Sequence, residues 1–205
     1  MPAATDDPFA KFSDATERYQ STLTDLWKNV FKKLYSYLKP MIAFGSKLIA
    51  KTKDLVHAVG ATVIKSFERA YNKITGMLRY IPELIKKALK LGAQIVATIA
   101  KAADPRKVIA TLKKLFARYV AMLQEIFEAV TDFVDQLDIL GKALAVVDKA
   151  KSVLQYMLSW IKEVSGAAGA VKKARDLLTK TIKTMKVEIK EATQLSREVA
   201  KLKPA

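Results

Sequence analysis

Apolar residues recur every three or four positions along nearly the whole chain, and that spacing is a helix period, not a strand period. Leu23, Leu26/Trp27, Val30/Phe31, Leu34/Tyr35 and Leu38 follow it. Phe44, Leu48, Leu55/Val56, Val59, Val63, Phe67, Tyr71, Ile74 and Leu78 continue it. No stretch alternates apolar and polar residues with period two, and neither Asn-Gly nor Asp-Gly occurs to turn a hairpin. The pattern predicts an all-α protein whose helices each present an apolar stripe. At 205 residues the chain is long enough to bury a sizeable core with those stripes.

Pro and Gly set the expected boundaries. Residues 1–12 read as a polar lead-in containing Pro2 and Pro8. Ser13 followed by Glu17 resembles a capping arrangement, so a first helix is expected from there to about Leu38, stopped by Pro40. A second runs from Met41 to about Tyr80, with weak points at Gly60 and Gly76. Pro82 is the expected first turn of a third helix. Asp104 and Pro105 form the clearest punctuation, an N-cap followed by an N1 proline, opening a fourth helix to about Leu140. Gly141 separates or bends it before a fifth, Lys142–Val164. "SGAAGA" (165–170) reads as a turn or hinge before a last helix from Val171 to Leu202, where Val171, Leu178, Met185, Ala192 and Val199 approach a heptad. The expectation is a bundle of five or six long amphipathic helices, elongated or able to open. It forms a single domain over residues 13–203, with sub-units 13–103 and 104–203.

The residue types that carry most catalysis are absent or isolated. There is no Cys, hence no disulfide, thiolate ligand or thiol nucleophile. The one histidine, His57, has Asp54 on its helical side but no second His to build a metal site with. Glu125, Glu128, Asp132, Asp135 and Asp138 line one helix face without the Glu-x-x-His pairs of a di-metal bundle. They crowd a helix C-terminus, where acids oppose the helix dipole, so a basic neighbour packed antiparallel is expected. "SGAAGA" lacks the Lys-Ser/Thr of a phosphate loop, and no Ser occupies a nucleophile elbow. The expectation is a non-enzymatic protein without cofactor or metal.

Charge supplies the positive indication. Thirty-six basic against twenty acidic residues give a net +16, and only seven of the basic residues are Arg. Lys is a hydrated point charge suited to diffuse anionic surfaces, whereas Arg is the usual choice for bidentate phosphate and base recognition. Residues 40–103 and 141–205 each carry net +8, flanking a block of net −1. In "IPELIKKALKLGAQIVATIAKAADP" (81–105) the apolar face is wide and bordered by lysines. Helices of this kind can lie in a lipid interface, apolar side down and lysines among anionic headgroups. The uncharged runs reach only ten residues, as in 55–64 and 91–100, about half of what a membrane span needs.

The expected function is therefore binding to a lipid particle, lipid droplet or anionic membrane. Trp27, Leu84, Ile85, Ile95, Ile99 and Trp160 would insert, and Lys86, Lys87, Lys90, Lys113 and Lys114 would face headgroups. Consecutive Lys-edged amphipathic helices without Cys, over roughly residues 20–200, resemble the coat proteins of lipid particles, such as apolipoproteins and lipid-droplet proteins. The resemblance is one of pattern and composition, and no residue role is carried over from it. The alternatives are a basic helical subunit of a larger assembly, with protein partners or self-association, and a sequence-independent nucleic-acid binder. "MPAATDDPFAKF" lacks the apolar core of a signal peptide, which places the expected location in the cytoplasm or peripherally on a lipid surface.

Overall fold

The computed structural model describes residues 7–51, 56, 57, 59–150 and 158–204, with side chains of the last stretch described from Lys162. All of its regular elements are helical. They are α1 (Pro8–Asp25), a π-helical turn (Leu26–Phe31), α2 (Lys32–Ala50), α3 (Ala61–Lys101), a 3-10 turn (Pro105–Val108), α4 (Ile109–Lys149) and α5 (Leu158–Lys201). Among the described residues there is no strand. α1, the π turn and α2 run on without a break, so the described chain forms four long helical runs instead of five or six.

The expected breaks at Pro40, Pro82, Gly141 and "SGAAGA" are all helical interior. Pro40 lies inside α2, where it removes one backbone donor at a cost of about 3 kcal/mol. Leu38, Met41 and Phe44 around it are buried, each contributing roughly 1.5–3 kcal/mol, so the helix continues. Pro40 itself and Ser36, whose carbonyl loses its partner, are exposed to water. Pro82 lies inside α3, between buried Ile81 and buried Leu84 and Ile85. Gly141 lies inside α4 and "SGAAGA" inside α5. In the latter, Val164, Ala167, Ala170, Val171, Ala174 and Leu178 keep the core stripe intact while Ser165, Gly166, Ala168 and Gly169 face out.

Where a break does occur, local chemistry accounts for it. Gly60 has φ +93°, a left-handed conformation that side chains other than glycine's rarely adopt, and α3 begins at the next residue. Asp104 accepts from Arg106 N at 3.1 Å and Pro105 takes the first turn, as expected, although that turn is 3-10 before α4 proper. The first helix starts at Pro8, not Ser13, because Asp7 caps it by accepting from Phe9 N at 3.0 Å.

The chain divides into two compact units, the first drawn from three segments and the second from two. The first comprises residues 1–29, 82–128 and 183–205, the second residues 30–81 and 129–182 with α2 and the leading half of α3 forming one of its stretches. In the first unit α1 lies antiparallel to α5, with Lys11, Arg18 and Thr22 against Glu198, Glu191 and Glu188. Its core includes Phe12 and Phe116, edge to face with centroids 5.1 Å apart. In the second unit neighbouring helices are likewise antiparallel. Tyr71 donates to the Ile42 carbonyl (α3 to α2), Lys47 pairs with Glu163 (α2 to α5), and Arg175 pairs with Asp138 (α5 to α4). The last contact sets an acid of the α4 run against the basic α5, the neighbour that run predicted.

Because nothing approaches within 4 Å of a Cβ built at Gly166 or Gly169, alanine fits both helical positions. Gly166→Ala and Gly169→Ala should each raise stability by about 0.5–1 kcal/mol through the smaller backbone entropy lost on folding. Urea unfolding midpoints measure this directly. A loss of stability in either variant would mean that the segment is not helical.

Candidate functional site

Three of the six side chains expected to insert into lipid are core residues here. Leu84, Ile85 and Ile95 of α3 are buried in the first unit. Ile99 is half-buried and borders an apolar cavity of about 10 Å³, room for no more than one water. Trp27 is half-buried, with the Lys86 ammonium 5.7 Å from its ring centroid. The Trp160 side chain lies outside the described residues. For Leu84, Ile85 and Ile95 to touch lipid, the helices would have to part, because the stripe they form is already covered by protein.

The lysines are distributed differently. Lys87, Lys90 and Lys114 are exposed. Lys86, also exposed, pairs with Glu83 at 2.9 Å in addition to its contact with Trp27. Lys113 is half-buried and donates to the Ala200 carbonyl at 3.0 Å, near the C-terminus of α5, where a cation complements the free carbonyls. The structure thus joins Trp27 to Lys86 and leaves Lys87, Lys90 and Lys114 to solvent. His57 is helical and exposed, and among the described residues no three His, Cys, Asp or Glu side chains gather to hold a metal. No described helix is long and apolar enough to cross a membrane.

The first unit also contains a buried polar cluster that sequence reasoning did not find. Gln20 of α1 reaches α3 and α4 together. Its Nε2 donates to the Leu89 carbonyl at 2.7 Å, and its Oε1 accepts from the Tyr119 hydroxyl at 2.8 Å. Gly92 makes this approach available, since a Cβ there would meet Gln20 Oε1 at 2.2 Å. On the α5 side, Glu188 accepts from the Thr22 hydroxyl at 2.6 Å, and Glu191 takes both ends of the Arg18 guanidinium. The partners in each pair are tens of residues or more apart, so no local spacing announces them.

Burial is the main cause of the upward shifts of Tyr19, Tyr119 and Glu188. It pushes the Tyr19 and Tyr119 hydroxyls upward, and the neighbouring Glu188 charge acts in the same direction on both. Burial also raises Glu188 above the ordinary glutamate range, against the lowering effects of the Thr22 hydrogen bond and the Arg18 charge.

An acid whose folded-state pKa exceeds its unfolded value binds more protons when folded, so its contribution to stability improves as pH falls. Glu188→Gln keeps an oxygen for Thr22 and removes the half-buried charge. The variant should be more stable than the parent at neutral pH, and the difference should vanish below pH ~4, where glutamate is protonated in both states. Thermal melts across that range provide the test. A variant less stable at neutral pH would show that the charge is held favourably.

No protein-family model, no curated protein and no solved structure matches this chain.

Proposed function

We propose that this protein is a non-enzymatic, peripheral binder of anionic lipid surfaces, held there by lysines on a bundle that stays closed. The observation that carries this reading is a surplus of cations on helices whose apolar stripes face one another. Even if every carboxylate found a basic partner, sixteen cations would remain. A lysine near an anionic bilayer contributes about 1 kcal/mol, so a handful presented together suffices for peripheral attachment without apolar insertion.

Insertion of opened helices is the less supported route. Opening uncovers Leu84, Ile85 and Ile95, and lipid would restore only what the core already provides. Two of the expected helix boundaries, Pro82 and "SGAAGA", lie within helices. Nucleic acid is the competing anionic partner. Against it stands the preponderance of Lys, 29 of the 36 basic residues, over the Arg that dominates base and phosphate forks.

Co-flotation with vesicles tests the reading. The protein should float with vesicles containing anionic phospholipid at low salt, remain in solution with purely neutral vesicles, and be released near 1 M salt, where the Debye length shrinks to about 3 Å. Failure to float with anionic vesicles at low salt would overturn the proposal. So would a clear preference for duplex DNA over those vesicles in direct competition, which would favour the nucleic-acid reading.

A further inference from the structure

The second unit is electrostatically two-sided. Its 30–81 stretch holds ten basic and two acidic residues, whereas its 129–182 stretch holds eight basic and six acidic. The first stretch supplies α2 and the leading half of α3, the second the trailing half of α4 and the leading half of α5. α2 contains no acid at all, and no acid occurs between Asp25 and Asp54. Residues 61–81 of α3 contain one, the half-buried Glu68.

α2 and α3 are direct neighbours in this unit. Tyr71 donates to the Ile42 carbonyl at 3.1 Å, and Gly45 lets the Tyr71 ring approach to 2.5 Å from where a Cβ would stand. The outward positions of this pair then carry Lys32 and Lys39 on α2 and Lys65 and Arg69 on α3, all exposed, whereas Lys33 lies one turn before Tyr37, whose ring meets Lys173 of α5. Lys47, by contrast, turns to α5 and pairs with Glu163 at 3.0 Å.

Tyr35 interrupts this cationic face, while Tyr80, five helical turns after Thr62, lies on the flank of α3 that borders α4. Tyr35 is 60% exposed and Tyr80 50%, the only aromatics among the large apolar side chains that the described residues leave exposed. Counting outward equally from the Ile42–Tyr71 contact places Tyr35 level with Leu78, two residues from Tyr80, so both rings belong to the same end of the helix pair. Tyr35 also has Lys32 three residues before it and Lys39 four residues after it, both on its own side of α2. Aromatic rings with a polar tip, set among lysines, suit the headgroup level of a bilayer, where the ring reaches the acyl boundary and the ammonium groups stay among phosphates.

We infer that the α2/α3 face of the second unit is the surface that docks on an anionic bilayer, with Tyr35 as its interfacial anchor. The inference rests on the lipid-binding reading above and adds to it the face, the anchor and the orientation. The occupant is a phospholipid headgroup layer, chosen by charge complementarity over an acid-free helix and by the exposed Tyr35 ring set between Lys32 and Lys39.

The test uses the full chain and vesicles of phosphatidylcholine with or without phosphatidylserine. Lys32→Glu/Lys39→Glu on α2, with Lys65→Glu beside them on α3, reverses the proposed face. Lys149→Glu/Lys172→Glu/Lys180→Glu changes net charge equally on exposed positions of α4 and α5 in the same unit. The first triple variant should weaken partitioning onto phosphatidylserine vesicles by about tenfold or more, the second by less than about threefold, if each face lysine contributes as lysines near such surfaces do. Tyr35→Ala, at a solvent-exposed position that leaves the core intact, should weaken partitioning several-fold while leaving its salt dependence unchanged. Circular dichroism melts matching the parent establish that each variant is folded. Equal losses from the two triple variants would overturn the assignment of the face while leaving lipid binding standing. Absence of binding by the parent protein would overturn both. Unchanged vesicle binding by the α2/α3 variant, with loss of duplex DNA binding, would reassign the face to nucleic acid.

Discussion

Burial of one apolar stripe on each long helix is the constraint on which the other features of this protein depend. The stripe runs through Leu38, Met41 and Phe44 across Pro40, and through Ile81, Leu84 and Ile85 across Pro82. In α5 it runs through Val164, Ala167, Ala170 and Val171 across two glycines. A proline in a helix costs about 3 kcal/mol and a glycine about 1, whereas each large side chain fully buried contributes roughly 1.5–3. Several buried neighbours on either side of an interruption therefore outweigh it, and the helix continues. Among the described residues, breaks occur where the backbone itself takes another conformation, as at Gly60, and where a cap and proline act together, as at Asp104–Pro105.

With the stripes consumed by the core, the polar groups take the remaining roles. In the first unit Gln20 fixes α1 against α3 and α4 at once, and the absence of a side chain at Gly92 admits it. A half-buried amide satisfied on both sides favours one arrangement of helices, since a slip would leave its donor or its acceptor unpaired away from bulk water. On the outside, the carboxylates are used within the fold. Glu163, Asp138, Glu191 and Glu198 each bridge to another helix, which leaves the excess lysines to define the surface. Exposed ion pairs of this kind contribute little stability, so their effect on surface charge matters more than their energy.

How much of this was legible in the sequence follows from the range of each interaction. The all-α class was legible because a 3.6-residue period is local and repeated, and the near-heptad from Val171 to Val199 is buried at every one of its positions. Asp104–Pro105 was legible because capping acts over two or three residues. Pro40, Pro82 and "SGAAGA" misled because their local preference is overruled by packing partners far away in sequence. Leu84, Ile85 and Ile95 were legible as one stripe, but the same stripe suits a protein core and a lipid surface, and periodicity does not distinguish the two. A net charge summed along the chain does not show which helix face carries it. Residues 40–103 combine part of each unit, and only the fold separates them. Gln20, Leu89 and Tyr119 come together across 69 and 99 residues of sequence, beyond any local pattern.

The central claim is that the bundle binds through its surface while its stripes remain buried. Since the chain has no cysteine, spin labels can be placed at will. Ser21→Cys on α1 and Ala93→Cys on α3 are both exposed positions in the first unit, flanking the Gln20–Leu89 contact. Pulsed electron–electron distance measurement between the two labels, in solution and on anionic vesicles, reads the closure of that helix pair directly. The account predicts the same distance distribution in both conditions. A shift to longer distances on vesicles would contradict it, and would mean that Leu84, Ile85 and Ile95 leave the core for the lipid.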